Sequence, residues 1–200
     1  MSAVTRHLEG TVRAMEGLAE HVEAIERWGR TIGSVLGGGG RLLAAGNGGS
    51  AAEAQHLTAE LVGRYTSERR PLSAIALHAE TSALTAIAND YGLEAAYARQ
   101  VEAHGRGGDI LIALSTSGRS ANVLQAVRRA RTIGMSTLAL TGPRPNPLAG
   151  ACDDCIAIEA PSTASVQEAH LVAVHLLCEA VDETVAELDA AGFQSLGAPS

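Results

Sequence analysis

A chain of 200 residues with 46% hydrophobic but only 2% aromatic side chains must build its core from Ala, Val, Leu and Ile. Its net charge of −7, from 15 basic and 22 acidic residues, argues against a general nucleic-acid surface. No apolar run approaches the ~20 residues that cross a bilayer, and the N-terminus lacks the apolar stretch of a secretory leader, so a cytoplasmic protein is expected. The length suits one domain, alone or with a helical appendage. Small side chains bury little area each, which favours self-association.

From about Ser2 to Leu36, apolar residues recur at three- and four-residue spacing: Val12, Met15, Leu18, Ala19 and Val22, then Trp28, Ile32 and Leu36 after a bend. Gly37 to Gly40 end this helical stretch, so residues 1–40 read as an N-terminal helical segment ahead of a domain over 41–200. Short apolar runs then alternate with helical patterns. Strands are predicted at Leu42–Ala45, Ala74–Leu77, Asp109–Leu114, Thr137–Leu140 and Cys155–Ile158. Helices are predicted over 50–64, near 80–88 and 92–104, from the Ser-rich turn to about Ile133, and from Ser165 to about Ala190. Pro143–Pro147 reads as a surface loop and the residues after Gly192 as a loose tail. Continuous apolar strands separated by helices imply an α/β fold: a five-stranded, parallel, doubly wound sheet with ligands outside its carboxyl ends. The N-terminal helices lie outside the alternation and are candidates for packing against another subunit.

Three segments carry candidate chemistry. The first runs from Ala45 to Leu61, where the turn Gly46-Asn47-Gly48-Gly49 lets backbone N–H groups approach a ligand. Ser50 and Glu53 are spaced as a capping box opening a helix on which His56 and Glu60 share a face. That pair is able to bind a metal or move a proton, although alone it also fits a solvated face. The second segment, Leu114–Ser120, holds four hydroxyls and a glycine before a helix N-terminus, a good anion cradle. It equally reads as a plain Ser-rich turn with Ser120 as N-cap. No Walker A lysine follows, which excludes nucleotide triphosphate hydrolysis. In the third, Gln167, His170, Leu171, Val174, His175 and Cys178 share a stripe of the last helix, where His175 fits either a core histidine or a ligand. Gln167 and His175 are separated by about 12 Å along the axis, so joint metal binding needs convergence or two subunits. Cys152 and Cys155 form a C-x-x-C without a second pair, and with Cys178 they read as reduced structural residues.

Taken in order, Gly46–Ser50, Gln55-His56 with Ala59-Glu60-Leu61, Ala88-Asn89-Asp90-Tyr91-Gly92, Ser115–Val123 and Gln167-Glu168-Ala169-His170 with His175 resemble the sugar-isomerase (SIS) domain phosphoheptose isomerases. The likeness spans about residues 5–188 and rests on five ordered motifs. It implies aldose–ketose isomerisation of sedoheptulose 7-phosphate to D-glycero-D-manno-heptose 7-phosphate. It further implies zinc on His56, Glu60, Gln167 and His175, with Glu60 and His175 as the proton-transfer pair. Substrate contacts are implied at Asn47, Gly48, Gly49, Glu60, Asn89, Asp90, Ser115, Thr116, Ser117, Ser120 and Gln167, the Ser/Thr loop holding the phosphate. A homotetramer with sites completed across subunits is implied too, and neither nucleic acid nor membrane is an expected partner. Two positions depart from the family pattern: Arg119 replaces a usual asparagine, and Ser165 stands where an arginine is common. The alternatives are a related module binding the replication initiator, a sugar-phosphate sensor, and an isomerase for a related sugar. The first is disfavoured because Glu60 and His175 are present, and the second because the chain has no room for a DNA-binding domain.

Overall fold

The computed structural model describes residues 1–196, with side chains as far as Ala191. Two helices, α1 (Ala3–Ala19) and α2 (Val22–Gly37), precede β1 (Leu42–Ala45), α3 (Gly49–Val62), β2 (Ala74–Ala76) and α4 (Thr81–Tyr91). A 3-10 turn (Leu93–Ala95) leads into α5 (Ala96–His104), β3 (Ile110–Ser115), α6 (Ala121–Ile133) and β4 (Ser136–Thr141). The chain then forms α7 (Pro147–Ala151), β5 (Asp154–Ala157) and α8 (Thr163–Leu196).

All five strands are parallel, in the order β2-β1-β3-β4-β5. Successive strand side chains point to opposite faces, so the apolar runs feed two cores. Leu42, Ala44, Ile110, Ile112, Leu114, Leu138 and Leu140 join α1, α2, α3 and α8 on one side. Leu43, Ala45, Leu111, Ala113 and Ala139 join α5, α6 and α7 on the other. The order reverses between β1 and β3, and a ligand crevice is expected beyond their carboxyl ends. Both candidate turns sit there.

Several local expectations change. Ser50 and Glu53 do not form a capping box: Gly48 occupies the N-cap with φ 57° and no side-chain cap, while Ser50 and Glu53 are buried inside α3. The turn already supplies the break in direction, which frees Glu53 to face α8. The proline-rich loop runs into a helix, because Pro147 opens α7 and the Asn146 side chain caps it through Ala149 N at 2.9 Å. The N-terminal stripe divides: α2 buries Ile25, Trp28, Ile32 and Leu36 against α8 of the same protomer. On α1, however, Gly10, Ala14 and Leu18 turn inward, and Val12 faces out with Val4 and Leu8. Val22 is exposed as well. Small residues let α1 lie close to α8, so its larger ones are left on the outer side. Helix α8 continues to Leu196, so 193–196 are helical, and 197–200 lie outside the described residues.

Candidate functional site

Helices α3 and α8 run side by side on one face of the sheet, and their facing residues meet in register. Near the start of α3, the amide of Gln167 lies against Gly49 and would have to shift to make room for a Cβ there. One turn on, the buried carboxyl of Glu53 faces the fully buried His170, with Oε2 3.8 Å from Nδ1. His170 Nε2 donates to the Thr141 carbonyl at 3.1 Å, so Nδ1 carries the lone pair. Burial pushes the Glu53 carboxyl up to about 8 and His170 down to about 4, which makes both neutral near pH 7. Glu53 Oε2 and His170 Nδ1 make no hydrogen bond among the described residues; a protonated carboxyl moving a few tenths of an ångström toward the ring nitrogen would pair them.

The next turn holds the candidate catalytic group. His56 Nε2 lies 2.9 Å from His175 Nε2 and 3.4 Å from Glu60 Oε1. The two imidazoles meet edge to face at 5.1 Å between centroids, and Tyr65 stacks on His175 at 5.7 Å. Glu60 is partly buried, its side chain 23% exposed. Among the described residues, no set of three His, Cys, Asp or Glu side chains closes on a single ion position. Two nitrogens sharing a tetrahedral zinc ion at 2.0–2.1 Å stand about 3.3 Å apart, so a parting of a few tenths of an ångström would admit one. Two imidazoles and a carboxylate are a donor set that suits zinc. Gln167 is held at the opposite end of the seam, on Gly49, and makes no hydrogen bond to His56, Glu60 or His175.

At the sheet's switch point, the glycine turn and the Ser/Thr turn are bolted together. Asn47 Nδ2 donates to Asn122 Oδ1 at 2.8 Å, and Asn122 Nδ2 returns a bond to Asn47 Oδ1 at 2.9 Å. Tyr97 donates its hydroxyl to the Gly46 carbonyl at 2.6 Å. The Asn47 amide is therefore engaged within the protein. A cavity of about 400 Å³ opens beside this bridge, lined by Asn47, Leu93, Glu94, Ser120, Ala121 and Asn122. Ser120 is the N-cap of α6 but makes no side-chain cap bond; its hydroxyl lies 3.1 Å from that of Ser115. The Val123 N–H is taken by Asn122 Oδ1 at 3.0 Å, and the first residues of α6, Ala121 and Asn122, border the cavity at the helix end where the dipole favours an anion. Gly118 is required in this turn, with φ 61° and no space for a Cβ beside Asn146. Thr116 is half-buried and Ser117 exposed. Asn89 and Asp90 stand apart: both are exposed at the end of α4, and Asn89 Nδ2 donates to Asp90 Oδ1 at 2.8 Å.

The SIS domain family matches residues 7–142. A phosphoheptose isomerase of Streptomyces coelicolor is 59% identical over 179 residues, covering 90% of this chain and 78% of that one. One from Rhodospirillum rubrum is 48% identical over 168 residues, covering 84% and 89%. The chain belongs to the SIS-domain phosphoheptose isomerases. Among solved structures, the phosphoheptose isomerase GmhA of Neisseria gonorrhoeae superposes with TM-score 0.83 at 38% identity over 90% of this chain and 97% of the other. A phosphoheptose isomerase of Francisella tularensis gives 0.86 at 34% identity, over 92% and 100%. The chain is thus an isomerase with the family's parallel α/β fold.

Within this family frame, three features escaped the motif reading. Tyr97 and Asn122, the latter inside the Ser115–Val123 motif but given no role there, join the two loops, and Tyr65 backs His175; only contacts distant in sequence mark these roles. Ser165, where the resemblance leads one to expect an arginine, is fully buried, and a Cβ on Gly10 of α1 would reach its hydroxyl at 3.0 Å. An arginine has no room beneath that glycine. Arg119 is exposed beside the Ser/Thr turn. Cys152, Cys155 and Cys178 are free thiols. Burial pushes Cys152 and Cys178 up to about 12, so neither is a ready nucleophile.

Proposed function

We propose that the chain interconverts sedoheptulose 7-phosphate and D-glycero-D-manno-heptose 7-phosphate through an enediol. One observation carries this reading: His56, which lies against Glu60 on α3, also meets His175 of α8, 119 positions away, on the α3–α8 seam of an isomerase-family sheet. Aldose–ketose exchange needs a base at the carbon beside the carbonyl and an acid for the oxygens. Glu60 removes the proton from one of the two reacting carbons and returns it to the other, while His175 protonates the carbonyl oxygen and takes the proton from the neighbouring hydroxyl. Ser115, Thr116, Ser117 and Ser120, with the open N-terminus of α6, hold the phosphate and so fix the distance from that end to the reacting carbons. Gly48, Gly49, Asn89, Asp90 and Gln167 complete the sugar contacts, and Asn47 serves mainly by holding its turn to α6.

His56, Glu60 and His175 would hold zinc, which when bound polarises substrate oxygens and stabilises negative charge on them. Gln167 joins the ligand set only if neighbouring subunits alter its setting on Gly49. The assembly in this reading is a cytoplasmic homotetramer whose sites are completed between protomers. Its support is the apolar surface left on one chain: Val4 at 71%, Leu8 at 61% and Val12 at 57% exposure on α1, with Leu171, Val172 and Leu176 exposed on α8.

Incubating purified protein with sedoheptulose 7-phosphate and following the products by NMR tests the reaction. Appearance of the aldoheptose phosphate supports the assignment and reports its stereochemistry. No turnover of this sugar, with turnover of another ketose phosphate, would replace the substrate but keep the chemistry.

A further inference from the structure

Beyond the expected site, the seam contains a second polar crossing whose partners are both buried. Arg69 lies in the loop after α3, outside every motif discussed above. Its side chain is 6% exposed and that of Asp182 on α8 is 8% exposed, with Nε 2.6 Å from Oδ1. The same guanidinium donates from Nη2 to the Glu60 carbonyl at 2.8 Å and from Nη1 to the Leu61 carbonyl at 2.9 Å. Nη1 also reaches the Arg70 carbonyl at 3.2 Å.

The last carbonyls of a helix lack intrahelical donors, and α3 has no basic residue in its final turn to serve them. Arg69 serves them from outside, and its positive charge suits the helix C-terminus. The turn it grips is the one that carries Glu60. Asp182 follows His175 by seven positions, two helical turns, and so lies on the same face of α8. One guanidinium therefore ties the backbone under Glu60 to the face that presents His175.

We propose that Arg69 is a positioning residue for the reaction, setting the placement of the Glu60 carboxylate relative to His175 through its grip on the last carbonyls of α3, with Asp182 stabilising the buried guanidinium. This rests on Glu60 and His175 being the proton-transfer pair. Only a planar fork can bind two carbonyls of α3 and a carboxylate of α8 together; an ammonium at the same place cannot keep all three directions.

Removing Arg69 outright would leave the Asp182 carboxylate buried and unpaired, which invites unfolding. The informative pair is therefore R69K and D182N in the full chain. R69K keeps the charge near Asp182 but loses the fork on the α3 carbonyls. D182N loses the opposite charge but keeps Arg69 on them. The expected result is that R69K lowers kcat on the order of 10²-fold, as for an ångström-scale misplacement, with KM within about twofold. D182N lowers the melting temperature while kcat per folded molecule stays near wild type. NMR of the histidine ring protons, read on protein without substrate, should show the His56 and His175 signals displaced in R69K and not in D182N. Equal kcat in R69K and wild type, or equal losses in both variants that track only the folded fraction, would overturn the proposal. If the wild type does not isomerise the heptose phosphate, the reading of the reaction fails by itself, and the ring-proton comparison still decides whether Arg69 sets the site.

Discussion

The α3–α8 seam and the end of α4 both carry candidate site residues, yet one is finished within a single chain and the other is not. On the seam, polar side chains meet partners across two helices packed on one sheet face: Glu53 with His170, His56 with His175, Arg69 with Asp182. Helix α4 has no fully buried residue, and Asn89 and Asp90 bond only to each other. Tyr91 and Leu93, beside them, are each 58% exposed. Contacts within the protomer hold the polar groups of the seam in place, whereas those at the end of α4 stand exposed. The contrast teaches that the seam cluster is built by the fold of one chain, while the end of α4 would gain partners only in the assembly proposed above.

The sharpest way to break this comparison is Glu60→Gln, which keeps shape and removes basicity. General-base loss typically costs about 10²–10⁴-fold, and a steady-state assay on sedoheptulose 7-phosphate should show a fall in kcat of that order. Wild-type turnover by this variant would strip the seam of its assigned role. Next comes the metal. Treatment with a chelator should lower activity on the order of 10²-fold, and zinc alone should restore it. Indifference to both would leave Glu60 and His175 to act as an acid–base pair without a metal. A smaller effect tests the α4 side. Val12→Glu places a carboxylate in the exposed stripe of α1; burying a valine contributes about 1.5–3 kcal/mol, so association should weaken by at least about tenfold per contact. Light scattering should then report smaller species, and activity should fall with them. An active monomer would show that α4 needs no neighbour.

Sequence made the sheet legible because its strands are buried on both faces, so their apolar runs are unbroken and their boundaries fall close to those seen. It was less informative where an element's partner is remote. Val12 matched a helical stripe, but glycine and alanine on the other side of α1 pack more closely, and the larger residue turned outward. The Ser50–Glu53 spacing matched a capping box, but Gly48 with positive φ had already redirected the chain, and Glu53 found a buried histidine 117 positions away. For the site, the spacing of His56 and Glu60 showed a shared helix face but could not show which face of α8 it meets. Tyr65, Tyr97 and Arg69 carry no local signature, and Asn122 is marked only as part of its motif, because each acts on groups brought near only by the fold.

The mildest prediction concerns the buried Glu53–His170 crossing and its pH dependence. In the folded chain Glu53 titrates at about 8 against an ordinary 4.5, so it binds a proton more tightly folded than unfolded, and its contribution is lost as pH rises from 4.5 to 8. His170, lowered to about 4 from 6.5, has the opposite sign: its contribution is lost as pH falls through that range. Between pH 4.5 and 6.5 the two slopes oppose each other, and above 6.5 only that of Glu53 remains. Melting temperature should therefore decline by a few degrees from pH 6.5 to 8. Glu53→Gln, which keeps a donor toward His170 Nδ1 and cannot ionise, should flatten that decline while leaving kcat near wild type at pH 7. An unchanged slope in this variant would mean that the carboxyl is already ionised at neutral pH, and the neutral pair would have to be redrawn as an ion pair with a protonated His170.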